Sequence, residues 1–129
     1  MYIAIDFDGT IVEHDYPRIG KPVPGAIERL KRFQQAGAGL ILWTMRCDGR
    51  PDGSNPLKEA VEYCRAAGVE FLACNCNPTQ GKWTQSPKAY AHVYIDDAAV
   101  GCPLIELDGR RPYADWSVIG PRVMEIIEG

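Results

Sequence analysis

Short apolar runs alternate along the chain with stretches in which apolar residues recur every three or four positions. Tyr2–Ile5 opens the series, and Ala38–Trp43, Val69–Cys74 and His92–Ile95 repeat it. Such nearly uncharged runs predict strands buried on both faces, as in a parallel sheet. Pro103–Leu107 predicts one more strand, at a sheet edge. Between the first two runs, Pro24–Ala36 predicts a helix. Pro24 suits its first turn, Ile27, Leu30 and Phe33 recur at helical spacing, and Gly37 supplies the stop. Asn55–Ala67 predicts a second helix, with Asn55 placed to cap and Pro56 at the first helical position. Leu57, Ala60, Val61, Cys64 and Ala67 share one face of it, and Gly68 ends it. Ser117–Glu128 predicts a last helix, in which Pro121 fits only within the first turn. Alternation of this kind predicts an α/β fold, a Rossmann-like parallel sheet flanked by helices, with residues 1–129 as a single domain.

Three segments are polar and irregular: Gly9–Lys21, Arg46–Ser54 and Asn77–Ala89. Each comes after a predicted strand, which puts it at the carboxyl edge of the sheet, where open α/β folds bind their ligands. The same edge collects the chemistry. The first run ends in Asp6-Phe7-Asp8-Gly9-Thr10, the second in Thr44, and the fourth in Asp96-Asp97. Any one of these aspartates alone reads as a turn or helix cap. Several at one edge repel each other unless a cation lies among them. Four carboxylates without a histidine or cysteine ligand beside them point to a hard ion such as magnesium. Gly9 lets the chain leave its strand without a side chain that blocks a ligand.

Composition narrows the classes of partner. The formal net charge is −3 and the basic residues are scattered, so no basic stripe argues for a nucleic acid. No apolar run approaches the ~20 residues needed to cross a bilayer. Met1-Tyr2-Ile3-Ala4-Ile5 has no basic segment before it and an aspartate straight after it, which reads as a strand and not as a signal peptide. Five cysteines without repeated spacing read as reduced thiols, and a cytoplasmic location is expected. Cys74-Asn75-Cys76 lacks the second pair of ligands that a structural zinc requires.

Asp6-Phe7-Asp8-Gly9-Thr10 after an apolar strand resembles the first signature of the haloacid dehalogenase (HAD) superfamily. Leu40-Ile41-Leu42-Trp43-Thr44 resembles its second. Lys88, ahead of His92-Val93-Tyr94-Ile95-Asp96-Asp97, resembles the third and fourth. The ordered set covers residues 2 to 97. Short insertions after Thr10 and after Asn75 match the small capless phosphatases of that superfamily. The resemblance implies a magnesium-dependent phosphomonoester hydrolase. In it, Asp6 attacks phosphorus and forms a phosphoaspartate, and Asp8 serves as general acid and base. It also implies that Thr44 hydrogen-bonds the phosphoryl group and that Lys88 offsets its charge. Asp6, the backbone carbonyl of Asp8, Asp96 and Asp97 are the implied magnesium ligands. Whether Asp96 or Asp97 ligates directly stays open, and Lys82 stays an alternative to Lys88.

Gly9, Thr10, His14 and Arg46 are expected to line or grip the substrate, with Arg18 beside them in the flanking loops. The bland reading of these loop residues is solvated polarity. Trp43, Trp83 and Trp116 read as core or interface aromatics. A phosphorylated small molecule is the expected partner, and open sites in capless enzymes are sometimes covered by a neighbouring subunit, so a homo-oligomer is one expectation. Two alternatives differ in chemistry. A receiver-like signalling domain also gathers acids, a hydroxyl and a lysine at a sheet edge, but in a different chain order. A polynucleotide-end phosphatase would share this fold and act on nucleic acid.

Overall fold

The computed structural model describes residues 1–129. In chain order they form β1 (Tyr2–Ile5), α1 (Ala26–Gln35), β2 (Gly39–Leu42), α2 (Pro56–Ala66), β3 (Ala73–Cys74), β4 (Val93–Ile95), β5 (Leu104–Leu107), β6 (Arg110–Ala114) and α3 (Trp116–Glu128). A single 3-10 turn covers Gln80–Lys82. The first four strands make one parallel sheet in the order β3-β2-β1-β4, and three helices flank it. The fold is therefore a small α/β Rossmann-like one without a cap. No helix is long and apolar enough to cross a membrane.

The two most fully buried strands, β1 and β2, occupy the middle of this sheet, where both faces are covered. Ile3, Ala4 and Ile5 of β1 and Leu40, Ile41 and Leu42 of β2 are all buried. Each fully buried Leu or Ile contributes about 1.5–3 kcal/mol, so these two strands anchor the sheet. α1 meets α3 through Phe33 and Trp116, whose ring centroids lie 6.3 Å apart. α2 reaches the strand end through Tyr63, edge-on to Phe7 at 6.1 Å.

Three local expectations need correction. Within Val69–Cys74 only Ala73 and Cys74 are strand, because β3 pairs only with the far end of β2, at Ile41 and Leu42. Leu104–Leu107 is not an edge of the parallel sheet. It pairs antiparallel with β6 as a separate hairpin, turned by Asp108-Gly109 with Gly109 at φ 69°. Pro121 lies in the second turn of α3, not the first. The carbonyl it leaves without a helical donor belongs to Ser117, an exposed residue that water can reach.

The caps also differ from expectation. Asn55 makes no side-chain cap to α2; its Oδ1 accepts from the Gly49 amide at 3.0 Å. The first turn of α2 is satisfied from further away, by Asp48 Oδ1 accepting from the Lys58 amide at 3.0 Å. That bond fastens the 46–54 loop to the helix it precedes. In α3, Asp115 caps in the ordinary way and accepts from the amide and hydroxyl of Ser117.

Candidate functional site

All four strands of the parallel sheet end at the same edge, so the residues just beyond their ends converge. β1 delivers Asp6, β2 delivers Trp43 and Thr44, β3 delivers Asn75, and β4 delivers Asp96 and Asp97. β1 and β4 are neighbours with Ile5 opposite Ile95, and the Asp6 amide continues the ladder by donating to the Ile95 carbonyl at 2.9 Å. This register sets the acids side by side. Carboxylate oxygens of Asp6, Asp96 and Asp97 all lie within 4.8 Å of one another, each residue half-buried.

Thr10 braces this cluster from beneath. Its hydroxyl donates to Asp6 Oδ2 at 3.0 Å and accepts from the Asp97 amide at 3.2 Å. The chain reaches that point through a tight loop in which the Thr10, Ile11 and Val12 amides all donate to the Phe7 carbonyl. Gly9 makes the loop possible with φ +83°. Two bonds from the far end of the chain complete it. The Ala114 amide donates to the Gly9 carbonyl at 2.9 Å, and Trp116 Nε1 donates to the Thr10 carbonyl at 2.7 Å.

The electrostatics of Asp6 arise from this crowding. Burial first, then a hydrogen bond with Asp97 and the negative charges of Asp96 and Asp97, raise its carboxyl to about 8, while the Thr10 hydroxyl pulls the other way. Positive charge placed among the three acids would reverse the effect. The donor set is all oxygen, which suits a hard divalent cation. The Asp8 carbonyl accepts none of the chain's backbone hydrogen bonds, so it too is open to a ligand. Thiols do not compete. Burial pushes Cys64 up to about 12 and raises Cys74 and Cys102 as well, which keeps them protonated.

A cavity of about 380 Å³ opens over the cluster. Asp6, Asp96, Thr44 and Asn75 form its polar wall, and Trp43, Met45 and Pro87 its rim. Thr44 is fixed by its own backbone: its amide donates to Asn75 Oδ1 at 2.8 Å, and its hydroxyl accepts from the Arg46 amide at 3.1 Å. Asn75 makes that contact with a left-handed backbone, φ 58°. A second cavity of about 270 Å³ between β4 and α3 is mostly apolar, lined by residues such as Val93, Ile119, Val123 and Ile126. It gathers no convergent set of acids and hydroxyls.

The structure thus brings together Asp6, Thr44, Asp96 and Asp97, with Gly9 and Thr10 directly behind them. Several expected substrate contacts are otherwise engaged. Thr10 is fully buried, so its side chain serves the acids and not a ligand in the cavity. His14 lies on Asp97, Nε2 to Oδ2 at 2.8 Å. Arg18 pairs with Asp15 on the surface. Arg46 is not a solvated loop cation but is 1% exposed and paired with Asp8. Asp8 accordingly stands outside the acid cluster by its side chain. Lys88 is exposed, with its ammonium 5.6 Å from the centre of the Tyr94 ring and no carboxylate partner. Neither lysine lines the cavity: Lys88 comes directly after Pro87 of the rim, and Lys82 ends the 3-10 turn.

Trp116 and Trp83 divide the sequence reading of the aromatics, one buried and one 65% exposed, while Trp43 lines the cavity. Asn75 and Trp116 are contributors that sequence reasoning missed. For Asn75 a signal existed, since Asn is the non-glycine residue most at ease in the left-handed region and here comes after a predicted strand.

Among solved structures, the chain is similar to a conserved protein from Bacteroides thetaiotaomicron, with 44% sequence identity over 98% of this chain and 91% of that one, and a TM-score of 0.74. No family model matches the chain, and no curated protein matches it.

Proposed function

The chain belongs to the same family as the conserved Bacteroides thetaiotaomicron protein, and we propose, from the side chains at its sheet edge, that it is a magnesium-dependent phosphomonoester hydrolase of HAD type. One observation carries this reading. Three carboxylates from two adjacent parallel strands crowd within 4.8 Å with no lysine or arginine side chain paired to them, and an open cavity begins at Asp6. Such a cluster is costly to build unless it holds a cation and meets an anionic ligand.

Asp6, Asp96 and Asp97, with the Asp8 carbonyl, are the groups that would hold magnesium. Bound there, the ion would neutralise charge on the phosphoryl oxygens. The chain's own residues supply the rest. Asp6, fixed in rotation by Thr10, attacks phosphorus in line, the bond to the leaving oxygen breaks, and a phosphoaspartate forms. Asp8 in its protonated form gives a proton to the leaving oxygen. It then takes one from the water that cleaves the acyl phosphate, returning Asp6 as a carboxylate. Thr44, held by Asn75, offers its hydroxyl to a phosphoryl oxygen. Lys88, free of protein carboxylates, supplies a mobile positive charge for the same group. With no cap in the fold, the cavity accepts a phosphorylated small molecule from open solvent.

The test is phosphate release from a panel of phosphomonoesters, with magnesium and with a chelator, for the parent chain and Asp6→Asn. The panel spans sugar phosphates, nucleotides, phosphoamino acids and a 5′-phosphorylated oligonucleotide. Turnover that needs magnesium and falls at least about a thousandfold in Asp6→Asn supports the reading. Undiminished turnover in the variant defeats it. A persistent acyl phosphate without turnover favours the receiver-like alternative, and preference for the oligonucleotide the polynucleotide one.

A further inference from the structure

Arg46 carries a guanidinium with five N–H donors in a rigid fork, and every one of them is used inside the chain. Nε and Nη2 donate to the two oxygens of Asp8 at 2.9 and 2.8 Å. Nη1 donates to the carbonyls of Pro17 at 3.1 Å and Pro56 at 3.2 Å, and Nη2 also donates to the carbonyl of Arg18 at 2.7 Å. The group lies against the Phe7 ring at 4.9 Å and the Tyr16 ring at 5.2 Å. Nothing remains to bind a phosphate.

We propose that Arg46 is a positioning residue: it holds the Asp8 carboxylate in one orientation and makes that orientation depend on the docking of the 16–18 segment and the start of α2. The proposal rests on the phosphatase reading above, in which Asp8 moves the proton.

A buried ion pair is an expensive way to gain stability, because desolvation offsets most of the attraction, and an apolar pair of similar volume would serve the core as well. A group that gives and takes a proton must instead be presented at a fixed distance and angle. Bidentate pairing does this while using one lone pair on each carboxylate oxygen and leaving the others open. The three carbonyl contacts then fix the fork itself. They come from the loop after β1 and from the first residue of α2, so the proton-transfer group, the flap beside it and the second helix share one joint. Lysine cannot reproduce this joint, since a point charge has no fork.

The experiment is steady-state kinetics on the best substrate of the panel for Arg46→Lys, alone and combined with Asp8→Asn, with folding checked by circular dichroism. A positioning role lowers kcat by about a hundredfold with KM changed by less than about threefold. In the Asp8→Asn background the same change costs almost nothing more, because the residue acts through Asp8. An unchanged kcat overturns the proposal, as does an equal loss in both backgrounds. A raised KM at constant kcat also overturns it and returns Arg46 to substrate binding. If Arg46→Lys does not fold, amide hydrogen exchange of Asp8→Asn decides. Exchange at Arg18 and Ile19 rises about tenfold if the joint is real, and unaltered exchange overturns it. Absence of any turnover by the parent chain defeats the phosphatase reading itself, a result distinct from all of these.

Discussion

The His14 imidazole and the Asp97 carboxylate meet at the very place where a β-carbon on Gly9 would stand. The contact draws the loop after β1 over the acid cluster, and it depends on a residue without a side chain. Gly9→Ala therefore forces a positive φ on an alanine and drives His14 and Asp97 apart. Strain of that kind costs about 1–2 kcal/mol. Affinity for Mn²⁺, measured by titration calorimetry, is expected to fall about tenfold, since Asp97 is displaced. Unaltered affinity would count against Asp97 as a cation ligand.

Asp6 makes stability depend on pH. Its carboxyl titrates near 8 in the folded chain, against an ordinary 3.8. Between those values the folded protein holds a proton that the unfolded chain has released. The stabilisation from this group is thus complete below pH 3.8 and is lost as pH rises through 8. With chelator present, the contribution of Asp6 lowers Tm from pH 5 to pH 8.5, and added magnesium offsets the decline. Asp6→Asn should flatten the chelator profile, and a profile identical to the parent's would contradict the assignment.

Asn75 separates strain from function. Asn75→Gly keeps the left-handed backbone without steric strain but frees the Thr44 amide, so Tm should fall less than in the alanine variant while kcat falls by about tenfold. Asn75→Ala should lower both, because alanine tolerates the conformation less well. Thermal melts and kinetics of the pair distinguish the two effects.

Trp116 offers a stability test away from the cavity. Trp116→Phe preserves most of the apolar volume but leaves the Thr10 carbonyl without its donor in a buried setting, at a cost of about 1–3 kcal/mol by urea unfolding. Trp116→Ala adds a cavity beside Phe33 and should cost about 3–5 kcal/mol.

How far the chain could be read before folding depends on distance along it. Asp6, Thr44, Asp96 and Asp97 were legible because each lies at the end of an apolar run, and parallel strands put all such positions at one edge. The hairpin was half legible. Leu104–Leu107 reads as a strand, but Arg110-Arg111-Pro112 has the composition of a loop, and only the Asp108-Gly109 pair signals the return. The role of Arg46 was hidden. Its partners at Asp8, Pro17, Arg18 and Pro56 lie in segments that no local pattern links, so a loop arginine looks the same whether buried or solvated. Chain order does not separate Lys88 from Lys82, and the Lys88 ammonium rests over Tyr94, a placement that no local pattern announces.

The bonds from Ala114 and Trp116 to Gly9 and Thr10 set an order of events during synthesis. A ribosome makes Asp6 almost at once and Trp116 only 110 residues later. Until then the first loop lacks its closing bonds, and for most of that time it also lacks the two aspartates beyond β4. Until the last helix docks, the loop that braces Asp6 beside Asp96 and Asp97 is therefore open at one end, and the acid cluster is completed late.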